Sequence, residues 1–112
     1  MALYLIQFSY TTEAWVKMVN NPQDRETRIR QLAKGLDSEV IGFYFSQGEY
    51  DGIINLEAPD DESANALVFA STAAGHVKST KSSRLYTMEE FLNTLKKAHD
   101  INYSAPSGIR RT

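Results

Sequence analysis

The chain has 112 residues, 42% of them hydrophobic, with 14 acidic against 12 basic side chains and no cysteine. That is enough for one domain around one core, and a net charge of −2 excludes the basic surplus with which a protein neutralises a nucleic-acid backbone. The absence of cysteine excludes a disulfide framework and thiolate zinc sites.

The first ten residues, MALYLIQFSY, are apolar but lack a basic leader region and a small-residue cleavage site. No apolar run approaches the roughly 20 residues of a membrane span, so the expectation is a cytoplasmic protein with no membrane partner. Residues 3–9 are rich in aromatic and β-preferring types and read as a first strand. Thr11 or Thr12 caps a short helix over EAWVKMVNN, and Pro22 after Asn20 and Asn21 restarts the chain as a second helix with Asn as its cap. There Arg25, Ile29, Leu32 and Leu36 recur at helical spacing, and Gly35 closes the run.

SEVIGFYFSQ and YDGIINLEA read as a hairpin of two strands joined across Gln47-Gly48-Glu49. Pro59 stops the second of them, Asp60 caps the next helix, acids fill its first turn, and Gly75 ends it. HVKSTKSSRLY alternates weakly as a fourth strand. TMEEFLNTLKKAH opens with a Thr87–Glu90 capping box, carries Phe91, Leu92 and Leu95 on one side, and ends in lysines that suit the helix dipole. Residues 1–100 are thus read as one domain and 101–112 as a flexible basic tail.

The order β-α-β-β-α-β with an added C-terminal helix is the α+β, ferredoxin-like arrangement. Its helices cover one sheet face, and the other is mixed: Leu3 and Leu5 share it with Gln7 and Ser9, and Ile53 shares it with Asp51, Asn55 and Glu57. Such a surface suits a sheet packed on a second copy of itself around an internal cleft, giving a homodimer or higher homo-oligomer. A monomer with one face to water stays open as the alternative, because antiparallel sheets tolerate solvent on one side.

From Pro22 to Phe91 the chain resembles the GYD-domain family. The resemblance rests on Arg25 in the first long helix, Gly48-Glu49-Tyr50-Asp51, Glu57-Ala58-Pro59-Asp60, Gly75 after a helix of small residues, and Tyr86-Thr87-Met88-Glu89-Glu90-Phe91. It implies the dimeric α/β-barrel superfamily and a homo-oligomer, and it implies no activity, since the family has no assigned reaction. His76 stands where the family more often has Asn, and Trp15 lies in the divergent N-terminal part, so neither inherits a role.

Tyr50 and Asp51 are the first candidates for chemistry. In one reading Gly48 relaxes the backbone and Asp51 accepts from nearby amides. In the other, Asp51 is a cleft base beside Asn55 and Glu57, with a tyrosine hydroxyl as proton donor. Arg25 borders the apolar seam of its helix and suits an acid such as Asp51 or Glu57, or an anionic ligand. Tyr44 points away from Phe43 and Phe45 and is placed with Asn55 and Glu57 in the cleft. His76 is a candidate proton-transfer group or axial haem ligand against its ordinary role at a helix end, and two histidines without cysteine give no metal set. Trp15 reads as an interface anchor or a lid over the cleft, and Lys78, Lys81 and Arg84 as the charges of a blunted edge strand.

These residues contain no nucleophile–base pair, metal set or phosphate loop, and they require no cofactor. The leading functional expectation is therefore a small-molecule-binding or structural module with a modest, anionic ligand. The alternative is a cofactor-free isomerase or monooxygenase using a cleft carboxylate or tyrosine, and whether the protein is an enzyme stays open.

Overall fold

The computed structural model describes residues 1–106; the last six residues of the expected tail, 107–112, lie outside the described residues. In chain order the elements are β1 (Ala2–Tyr10), α1 (Thr12–Asn20), α2 (Arg25–Lys34), β2 (Glu39–Phe45), β3 (Gly52–Ala58), α3 (Asp61–Ala73), β4 (Val77–Leu85) and α4 (Met88–Asp100). The four strands form one antiparallel sheet in the order β2-β3-β1-β4. Each crossover thus skips one strand, which is the ferredoxin-like split βαβ topology read from the element order.

The sheet's alternation decides where the core lies. Tyr4, Ile6, Phe8 and Tyr10 of β1 are buried, as are Ile54, Leu56 and Ala58 of β3, and Ala33 of α2 and Leu67 of α3 close over them. The register pairs Tyr4 with Leu56, Ile6 with Ile54 and Phe8 with Gly52, so these inward side chains form rows across the two central strands. β2 carries a bulge between Val40 and Gly42, and the Val40 carbonyl there accepts a 2.6 Å bond from Arg30 Nη1 of α2. The bulge lets Val40 and Phe43 both face the core while Tyr44 faces the open side, paired with Ile53.

Three of the caps form where expected. Thr11 accepts from the Ala14 amide at 3.1 Å and Asp60 from the Ser63 amide at 2.8 Å. Thr87 and Glu90 exchange both bonds of a capping box. α2 differs from its expected start: Asp24, not Asn21, is the cap, because its carboxylate takes both the Thr27 amide at 3.1 Å and the Thr27 hydroxyl at 2.6 Å. At its other end Gly35 keeps a right-handed φ of −63°, and the left-handed residue is Asp37, at φ 53°.

α4 stands apart. None of its residues is buried, and Phe91, Leu92 and Leu95 are each about half exposed although they share one side of the helix. Its first turn is nonetheless anchored. Arg84 of β4 lies 4.7 Å from the Tyr86 ring centre and 5.6 Å from that of Tyr4, and its Nη2 meets Glu90 of α4 at 3.5 Å. Tyr4 donates its hydroxyl to Asp61 at the start of α3, which with burial pushes its pKa up to about 12. The described residues extend 60 × 32 × 22 Å. Among them no helix is long and apolar enough to cross a membrane.

Candidate functional site

The Gly48–Gly52 corner is a knot of backbone bonds. Asp51 sends its amide to the Phe8 carbonyl at 2.8 Å, and its own carbonyl accepts from the Ser46 amide at 2.8 Å. Its carboxylate Oδ2 accepts from the Tyr10 amide at 2.9 Å. The Ser46 hydroxyl donates to the Tyr50 carbonyl at 2.6 Å and that of Ser9 to the Glu49 carbonyl at 3.3 Å. Asp51 therefore joins the ends of β1 and β2 to the start of β3, as backbone scaffolding requires. Gly48 takes φ 148°, which a side chain resists. Gly52 is glycine for another reason: a Cβ there would lie 2.2 Å from the Phe8 ring tip.

The remaining sequence candidates fall on two sides of the sheet. Tyr44, Asn55 and Glu57 lie on the open face, where Asn55 neighbours Leu5 and Gly42, and Glu57 neighbours Leu3 and Glu39. The Asn55 Oδ1 atom is buried and has no hydrogen-bond partner among the described residues. Glu39 and Glu57 sit directly opposite each other, two like charges in one cross-strand pair. Arg25 and His76 lie on the other side, at the rim of a groove between α2 and α3.

That groove has a cavity volume of about 160 Å³. Its floor is Ile6, Phe8 and Ile54 of the sheet, and its walls are Ile29 and Leu32 of α2 facing Val68 and Ala70 of α3. Its lining also includes Arg25, Arg28, His76 and Tyr10. A smaller hollow beside it shares Arg25, His76 and Tyr10 and adds Lys17 and Met18 of α1. Among the described residues no Asp or Glu lines either space. Burial pushes the Tyr10 hydroxyl above its usual pKa of 10.0, partly offset by the Arg25 guanidinium and reinforced by the Asp51 carboxylate.

The acids expected to pair with Arg25 are placed elsewhere. Asp51 accepts from the Tyr10 amide and Glu57 is across the sheet; the acids beside Arg25 in sequence are also engaged, Asp24 by Thr27 and Glu26 by Arg30 at 2.8 Å. Arg25 itself reaches only Gln23, at 3.4 Å, and among the described residues neither Arg25 nor Arg28 forms an ion pair. No cluster of three His, Asp or Glu side chains is arranged among them to hold a metal.

Sequence reasoning missed Arg28 and the groove. Both left a signal: Arg28 follows Arg25 by one helical turn, and α3 is built of small residues, Ala64, Ala66, Ala70 and Ala73, which leave space beside a bulky neighbour. It also missed Gly52, whose role depends on an aromatic ring of another strand.

Residues 4–95 match the GYD domain, and the chain belongs to that family. Among solved structures the fold is similar to that of MtbAldR, with a TM-score of 0.55 and 19% identity over 77% of this chain and 53% of that one. It is also similar to TTHA0845 from Thermus thermophilus, with a TM-score of 0.51 and 15% identity over 78% of this chain and 95% of that one. The chain thus spans about half the length of MtbAldR. At such identities the likeness is one of fold. Among curated proteins none is similar in sequence.

Proposed function

We propose that the protein is a non-catalytic, small-molecule-binding module, one domain over residues 1–100, that works as a homodimer closed through the open sheet face. The observation that carries this reading is the unpartnered surface on that face. Leu3, Leu5, Ile53 and Leu85 stand among Gln7, Asn55 and Glu57, with a buried Asn55 Oδ1 that lacks a partner among the described residues. α4 presents a second unpartnered apolar stripe on the same chain. A two-fold pairing would cover both surfaces with one operation, and the basic last turn of α4 would suit the Glu39–Glu57 pair.

Asp51 supports a module over an enzyme. Its carboxylate is held by a backbone amide at the corner, where a base would need to face a substrate. Native mass spectrometry of the protein purified from its own source tests the reading, since it reports copy number and any retained ligand together. A dimer is the expected species. An isolated subunit at micromolar concentration, unchanged by Leu5→Lys, refutes it.

A further inference from the structure

The groove between α2 and α3 lies on the face of the sheet opposite the proposed dimer contact. We infer that it is a binding site for a small apolar-bodied carboxylate, whose body rests on Ile6, Phe8 and Ile54 and whose head meets Arg25 and Arg28. This rests on the reading of the protein as a binding module, and it names where the ligand sits and what it is.

Three observations carry it. The first is size. A cavity of about 160 Å³ matches a single ring, since a roughly 150 Å³ apolar cavity accepts benzene. The second is the distribution of polarity. The floor and walls are mostly apolar, with Ser71 and Thr80 among them, and the ionisable lining groups, Arg25, Arg28, His76 and Tyr10, include no acid. Pockets of this build orient a ligand by its one polar end.

The third is charge balance. Each acid close to Arg25 in sequence is already engaged, Asp24 by Thr27 and Glu26 by Arg30. Of the two acids expected to meet Arg25, Glu57 is across the sheet, and Asp51 accepts from the Tyr10 amide with one carboxylate oxygen and forms no ion pair with Arg25. Arg25 is half-buried at the mouth of an apolar hollow and has only the Gln23 amide oxygen as a partner among the described residues. A guanidinium in that setting favours a planar carboxylate, which it can meet with two parallel N–H donors.

The test uses the full chain and three probes of one shape: phenylacetate, phenylacetamide and phenethylamine. Backbone amide shifts followed by NMR give both the site and the dissociation constant. Phenylacetate is expected to move Ile29, Ala70 and Val77, and to bind about tenfold more tightly than the amide, the ratio of one charge-assisted bond. Arg25→Gln is expected to bring the acid and the amide to equal affinity. Ala70→Phe, which fills the groove from an exposed position, is expected to abolish binding of both while leaving the thermal transition cooperative.

Equal binding of all three probes, or a preference for the amine, overturns the inference. So do groove shifts that follow protein dilution and ignore phenylacetate, since they would assign the groove to a second copy. Shifts at Ile53 and Asn55 in place of the groove also overturn it while leaving the module reading intact. Silence on both faces overturns the groove site, and the copy number and retained ligand seen by mass spectrometry then decide the module reading separately.

Discussion

Replacing Gly52 by alanine separates two opposing effects. In a strand, alanine in place of glycine ordinarily stabilises by roughly 0.5–1 kcal/mol, because the unfolded chain loses freedom. Here the new Cβ would lie 2.2 Å from Cζ of Phe8, 2.7 Å from Cε1 and 2.9 Å from Cε2. The ring cannot easily turn aside: Phe8 is buried and packs edge-on against Tyr10 at 5.2 Å and obliquely against Phe43 at 5.9 Å. Overpacking of this kind costs about 1–3 kcal/mol, so Gly52→Ala is expected to destabilise by about 2 kcal/mol. With a urea dependence of about 1–3 kcal/mol per molar, the denaturation midpoint falls by about 1 M. Leucine lacks all three ring atoms that meet the new methyl. In a Phe8→Leu background the same alanine is therefore expected to be neutral or stabilising, a coupling of about 2 kcal/mol. A Gly52→Ala variant that is neutral or more stable with Phe8 intact refutes the packing argument and returns Gly52 to the turn.

Asp51→Ala strands the Tyr10 amide and is expected to lose about 1–2 kcal/mol in urea denaturation, whereas Asp51→Asn keeps an acceptor oxygen and loses much less; equal losses would show that the negative charge itself matters. Tyr4→Phe removes the bond to Asp61 and is expected to lower stability by about 1 kcal/mol. The Tyr4 hydroxyl is raised from 10.0 to about 12, so its contribution is fully present below pH 10.0 and lost as pH rises toward 12. The variant should lack that last ionisation in a 295 nm titration. The helix-capping carboxylates are held below the usual 3.8, Asp24 by the hydroxyl and then the amide of Thr27, and Asp60 by the amide and then the hydroxyl of Ser63. Their stabilisation is complete above pH 3.8 and is lost as pH falls through their lowered values, so circular dichroism should show α2 and α3 loosening at lower pH in the wild type than in a variant without those carboxylates.

The elements were legible because each is announced by its own residues: alternation in β1 and β3, Asp60 and Gly75 at the ends of α3, and the Thr87–Glu90 box. The start of α2 was less so, because Asn21 and Asp24 are both good caps and only the Thr27 contact chooses between them. The two glycines around Tyr50-Asp51 look alike in sequence. One serves a dihedral angle and the other a ring from β1, a distinction that exists only once the strands are paired. Arg25 illustrates the same limit. Its place beside the apolar seam was readable from helical spacing, but its side of the sheet, and its separation from Glu57, followed from the handed crossover that carries α2 over the sheet.

The clamp at the base of α4 has a consequence for how copies could meet. Arg84, Tyr86, Thr87 and Glu90 fix the direction in which this helix leaves the body within a two-residue joint. Because the joint has almost no slack, one residue inserted after Tyr86 would swing the apolar stripe by about 100° around the helix axis. Any handshake made through α4 would then point along a new bearing, and a pair that closes on itself would give way to chains that keep growing. The angle at which copies would join through α4 is thus written in a few side chains at the helix root.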